Sequence, residues 1–240
     1  MIAPIAWMEW TRARRRPRLF FLNLAIPLIL VLPLTLGAAP AFHAAAVYTV
    51  LFALFGTMGA AIPLLRDQEA ALLNRIGLTG YSARRQLLER VVLGMGLDFI
   101  QLLPSLVVIL ALGAGRAGDW LLAPLVLGLA LLFANLVGIW IAAVARSLAE
   151  GALFAAVVTL FLLHGSGVFR TPAPEGWGAR LEILIPYGPL HSVLLDVSAG
   201  MSGTSPNFSA APAVLTALVL LLITVGLGGP LTRRLTSNGG

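Results

Sequence analysis

Residues Arg66 to Arg90 read RDQEAALLNRIGLTGYSARRQLLER, a 25-residue charged island between two apolar runs. Its ionisable side chains are Arg66, Asp67, Glu69, Arg75, Arg84, Arg85, Glu89 and Arg90. On either side the chain is nearly free of charge for the length of a bilayer crossing, so the island marks where a polytopic protein leaves the hydrocarbon.

The composition supports that frame. The 240 residues are 59% hydrophobic and 11% charged, with a mean hydropathy of +0.94, whereas soluble domains carry about 25% charged residues. A 30 Å hydrocarbon core needs roughly 20 helical residues. Six runs meet that length: Leu19–Ala38, Ala44–Leu65, Val91–Gly113, Trp120–Ala145, Gly151–Phe169 and Pro212–Leu231. Backbone groups in lipid must be satisfied within the segment, so these runs are expected to be helices. The short alternating strands of an outer-membrane barrel are missing from the pattern. The expected fold class is therefore an all-α polytopic membrane protein of one domain, residues 1–240, with six transmembrane helices.

Arginine placement orients the bundle. Thirteen of the 16 basic residues fall before span 1, between spans 2 and 3, after span 4 or after span 6. Arg116, Arg170 and Arg180 lie on the other side. The positive-inside rule then puts both termini in the cytosol of a bacterial inner membrane. The sequence pI of about 11.2 reads as an orientation signal and not as nucleic-acid binding. There is no cysteine, which excludes disulfides and thiolate metal sites. There is no lysine either, and a P-loop needs one at the β- and γ-phosphates. Any ATP that drives this protein is expected to bind another subunit. The amino terminus does not read as a signal peptide, because its apolar run exceeds a 7–15-residue h-region. No repeat of 20–50 residues is evident.

Residues 1–18 carry Trp7 and Trp10 ahead of a basic run that includes Arg12, Arg14, Arg15 and Arg16. Indoles and arginines together favour the headgroup level, so a short interfacial helix is expected there. Pro27, Pro33 and Pro104 are expected to kink spans 1 and 3. Within the cytosolic loop, residues 66–90, a short amphipathic helix is expected over Arg66–Ile76, followed by a turn at Gly77–Gly80 and a helix capped by Ser82. A helix of that shape below two spans suits the groove of a partner. The opposite loop, residues 170–211, is the longest on its side and is half apolar. Runs at Leu181–Pro186 and Leu190–Val197 are too short to cross and suggest re-entrant half-helices.

Asp98 is the only formally charged residue inside a predicted span, about 10 Å past Val91 by helix rise. An aspartate at depth should face the bundle interior or a wet cavity. Gln101 shares its face, and Asn23 and Asn135 are the other strong hydrogen-bonding side chains at depth. These four are candidates for a substrate path or for interhelical hydrogen bonding. His43, His164 and His191 show no metal-ligand spacing, and no metal site is expected. His164-Gly165-Ser166-Gly167 lacks the leading glycine and the histidine base of an intramembrane serine protease.

The pattern as a whole resembles the permease subunit of type-2 (ABC-2) ATP-binding-cassette exporters. Members begin with an interfacial elbow helix, which Trp7–Arg18 resembles. Their first cytosolic loop has the sense Arg-x-x-Glu-x-Gly-Thr-Leu-x-x-Leu. Here Arg66, Glu69, Leu72 and Thr79 match in kind, while Ala70-Ala71 replaces Gly-Thr and Gly80 replaces a proline. Ser166-Gly167-Val168-Phe169 and Ile185-Pro186-Tyr187-Gly188-Pro189 are similar to the motifs that bracket the family's external half-helices. The resemblance implies two permease subunits, identical or homologous, docked on two cytosolic ATPase subunits that hold the ATP and Mg. It also implies a coupling role for Arg66, Asp67, Gln68, Glu69, Leu72, Leu73, Arg75 and Ile76, and no catalysis in this chain. A drug, antibiotic or lipid-like substrate would suit a small apolar pathway. The competing reading is an ion-coupled secondary transporter that uses Asp98, against which the absence of inverted-repeat symmetry counts.

Overall fold

The computed structural model describes residues 11, 14, 17–37, 39–113, 116–169, 176–200 and 211–237. Every regular element among these residues is a helix. In chain order they are α1 (Pro17–Leu36), α2 (Ala41–Glu69), α3 (Leu72–Leu78), α4 (Ala83–Leu112), α5 (Asp119–Val144), α6 (Leu148–Gly165), α7 (Trp177–Leu184), α8 (Tyr187–Ala199), α9 (Ala211–Gly226) and α10 (Gly228–Ser237).

Four of them, α2, α4, α5 and α6, are long and apolar enough to cross a membrane, and α9 with α10 makes a fifth if that bent pair counts as one span. The chain is thus a multi-pass membrane protein. The length criterion does not reach the six crossings expected from hydropathy. The apolar stretch of α1, Phe20–Leu36, falls short, and the last run breaks at Leu227 with a 64° bend. Gly226, Gly228, Gly229 and Pro230 cluster around that break, a set that weakens helix propagation. Past the bend, α10 is amphipathic. Leu231 and Leu235 are buried while Arg233 and Arg234 face out.

The charged island is less of a loop than expected. Its first four residues prolong α2, and residues from Ala83 onward already belong to α4. The predicted helix over Arg66–Ile76 is therefore split at Ala70–Ala71. Ala71 adopts φ +51, a left-handed conformation that costs an L-residue roughly 1–2 kcal/mol.

α2 and α5 form the central seam. Gly56 and Ala60 on α2 face Ala134 and Gly138 on α5, a pair of small-xxx-small patterns that lets two helix backbones approach. A methyl on Gly138 would stand 2.5 Å from the Thr57 carbonyl oxygen and 2.9 Å from Ala60 Cβ. α6 joins this frame through Gly151, which lies against Leu65. Its start is capped by Ser147, whose hydroxyl accepts from the Glu150 amide at 3.2 Å, and Glu150 accepts from the Arg146 amide just before the cap at 2.7 Å.

At the end far from the island, α7 and α8 meet at Ile185–Pro186 and neither is long enough to cross. α8 is buried along Tyr187, Leu190, Val193, Leu194 and Val197, which share a cluster with Phe52, Leu106 and Phe133. Phe133 and Tyr187 meet edge to face with ring centres 5.6 Å apart.

Candidate functional site

Two polar constellations interrupt this apolar bundle. The first lies at the island end, where α2, α3, α4 and α10 converge. The Arg90 guanidinium donates to Asp67 at 2.6 Å, and both side chains are buried. The pair ties the last turn of α2 to the first turns of α4. Beside it, Arg85 Nε donates to Glu89 at 3.0 Å, and the Tyr81 hydroxyl donates to the same Glu89 oxygen. Desolvation first, and then the Glu89 hydrogen bond, hold the Tyr81 phenol above its ordinary pKa.

The expected coupling residues divide by placement. Asp67, Gln68 and Leu73 turn inward. Leu73 shares an apolar cluster with Leu64 and Leu65 of α2, Leu87 of α4, and Leu231 and Leu235 of α10. Arg66, Glu69 and Arg75 are exposed, and Leu72 and Ile76 are half-buried. Glu69 accepts a hydrogen bond from the Leu148 amide at 3.1 Å and so holds the first residue of α6. Leu78, at the tip of α3, is 88% exposed. Sequence reasoning singled out neither Leu78 nor Arg90 as a site residue. Of the interfacial anchors, Arg14 is exposed, while Trp7, Trp10, Arg12, Arg15 and Arg16 lie outside the described residues.

The second constellation sits at mid-height. Asn135 Nδ2 donates to Asp98 Oδ2 at 2.9 Å and to the Leu131 carbonyl at 3.0 Å, joining α5 to α4. Asn135 is fully buried, and Asp98 is 6% exposed. Glycines cut the space for this pair. A methyl on Gly59 of α2 would stand 2.5 Å from Asp98 Oδ1, and one on Gly94 of α4 would strike Asn135 Oδ1. Neither glycine was singled out from sequence, although each interrupts a long apolar run.

Asp98 forms part of the wall of a cavity of about 430 Å³ between α1, α2 and α4. Asn23 and Phe20 line it from α1, Gly59, Ala60 and Pro63 from α2, and Leu93, Leu97 and Gln101 from α4. Arg66, Asp67 and Arg90 stand at its charged end. The structure thus brings Asn23, Asp98 and Gln101 to one cavity and places Asn135 behind it, bonded to Asp98. His43 and His191 both lie edge-on to Phe42, with ring centres 6.0 and 5.4 Å away, and His164 is exposed elsewhere.

No curated protein sequence matches the chain. A family model described as ABC-2 type transporter matches residues 3–178, a stretch that runs through α6 into the start of α7. A membrane-embedded helical bundle with a charged segment between α2 and α4 fits that match. The chain belongs to the ABC-2 type transporter family, whose members are membrane permeases that work with an associated ATPase.

Proposed function

We propose that this chain is the permease subunit of an ATP-driven exporter and that α3 is its coupling helix. In this reading α1 is a first, tilted crossing and α9 with the start of α10 a sixth. Both termini are cytosolic in a bacterial inner membrane, and α7–α8 form an external re-entrant pair. Two permease subunits, identical or homologous, stand on two cytosolic ATPase subunits that bind ATP and Mg. The cargo is a drug, an antibiotic or a lipid-like molecule.

One observation carries the coupling assignment. α3 hangs between two span-length helices with Leu73 anchored in the cluster below the bundle and Leu78 almost wholly uncovered. An exposed leucine at the end of a seven-residue helix that Leu73 anchors suits a partner's groove, with Arg75 and Glu69 as polar neighbours. Nucleotide-driven closure of the ATPases would bias two arrangements of the bundle through that contact.

Covering one leucine is worth about 1.5–3 kcal/mol. Leu78→Asp with Arg75→Glu should therefore lower both co-purification with the ATPase and permease-dependent ATPase activity roughly tenfold or more. Unchanged values for both, at normal expression, would remove α3 as the coupling element. The ion-coupled alternative draws on the placement of Asp98 in a cavity. It requires transport by the purified chain without any ATPase.

A further inference from the structure

The mid-height cavity is lined by Asn23, Asp98 and Gln101 and, at its charged end, by Arg66, Asp67 and Arg90. Asp98 makes a single polar contact among the described residues, through Oδ2 to Asn135, and it forms part of the cavity wall. Gln101, one turn further along α4 and 9% exposed, makes no hydrogen bond among the described residues. Asn23 faces the same space from α1. Away from the charged end, the acceptors are the Asp98 carboxylate and the amide oxygens of Asn23 and Gln101. Among the described residues, the guanidiniums that line the cavity are those of Arg66 and Arg90, at its charged end, and Arg90 is taken by Asp67. By helix rise Arg90 lies roughly 12 Å along α4 from Asp98.

A carboxylate in a low-dielectric wall strongly favours an opposite charge beside it. The rest of the wall is apolar: Phe20, Pro63, Leu64, Leu93, Leu97 and Ile139. A dry all-protein calcium cage takes about six to eight oxygen ligands, more than these side chains offer. The volume suits a compact organic molecule, within the range of ordinary ligand pockets.

We propose that this cavity binds a hydrophobic organic cation, with the positive centre held by the Asp98 carboxylate and the apolar body against α1 and α4. The proposal rests on the permease reading, for which it names a cargo class. Gly59 is part of the site, because only the missing side chain allows the carboxylate to lie against α2. Asn135 is a positioning residue that fixes the Asp98 rotamer from behind.

The lack of cysteine makes the test clean. Leu97→Cys places one thiol on the cavity wall of the full chain, reconstituted in lipid nanodiscs. Its rates with a trimethylammonium-ethyl and a sulfonatoethyl methanethiosulfonate are measured, each normalised to a free thiol. The cationic reagent should react at least about tenfold faster, and tetraphenylphosphonium should protect the thiol while sodium chloride at equal ionic strength does not. Asp98→Asn should bring the two rates within about twofold and abolish protection. Asp98→Glu, which keeps the charge, should keep the preference, whereas a purely structural aspartate would lose it in both variants. Equal rates in the Leu97→Cys protein, an unreactive thiol, protection by sodium, or protection that survives Asp98→Asn would each overturn the proposal. None of these readouts involves nucleotide. A failure here with intact ATPase coupling through α3 therefore removes only the cargo class, and the reverse result removes only the coupling.

Discussion

Helix α2 presents glycine to two different neighbours within one turn, and the two contacts behave in opposite ways. Gly56 meets α5, where Ala134 Cβ and a Leu131 methyl would stand 2.8 and 2.9 Å from an added methyl. Gly59 meets α4, where the nearest atoms belong to the Asp98 carboxylate beside a cavity. At the first, absent side chains bring two backbones together with no space left. At the second, the absent side chain makes room for a polar group and leaves a void next to it. The α2–α5 seam is the fixed frame of the bundle, and the α1–α4 flank is the side with room to yield.

The contrast can be broken most forcefully at the charged end, where the Asp67–Arg90 ion pair ties α2 to α4. Asp67→Ala leaves the Arg90 guanidinium buried without its partner carboxylate, which should cost about 3–5 kcal/mol of stability. Thermal unfolding in detergent reads this directly. A small shift would mean that the flank is held by packing after all. A matched pair of substitutions then compares the two glycines. Gly56→Ala overpacks the seam and should cost about 1–3 kcal/mol. Gly59→Ala should cost less, about 0.5–1.5 kcal/mol, because Asp98 can swing into the cavity but gives up its hydrogen bond to Asn135. Equal losses would show that the cavity wall is as rigid as the seam. The smallest effect is expected at Ala71→Gly. Relief of a left-handed alanine is set against the greater freedom of glycine in the unfolded chain, so the net change should stay within about 1 kcal/mol. A larger loss would show that the Ala71 methyl packs against something that matters.

Hydropathy located the interiors of α2, α4, α5 and α6, because hydrocarbon imposes one requirement on every residue of a span. It could not locate their ends. Arg66–Glu69 continue α2 since Asp67 finds Arg90 across 23 residues of chain, a tertiary partner that no local pattern reveals. Alanine is the best helix former, so Ala70–Ala71 gave no local sign of a break. The bend at Leu227 is different: Gly228, Gly229 and Pro230 did mark it, but the apolar run extended to Leu231 and outweighed them. Asp98 and Asn135 stood out from sequence as separate polar residues at depth. Their mutual hydrogen bond depends on how α4 and α5 rotate about their axes, which the small residues of the seam decide.

The carboxylate of Glu69 holds the first amide of α6 while sitting at the last residue of α2. Any force that reaches this point from α3 is therefore forked, travelling up α2 through the backbone and into α6 through a single side-chain oxygen. If an ATPase side chain also bids for that carboxylate, docking and the anchoring of α6 become rivals for the same charge. The strength of engagement would then set how freely α6 can pivot.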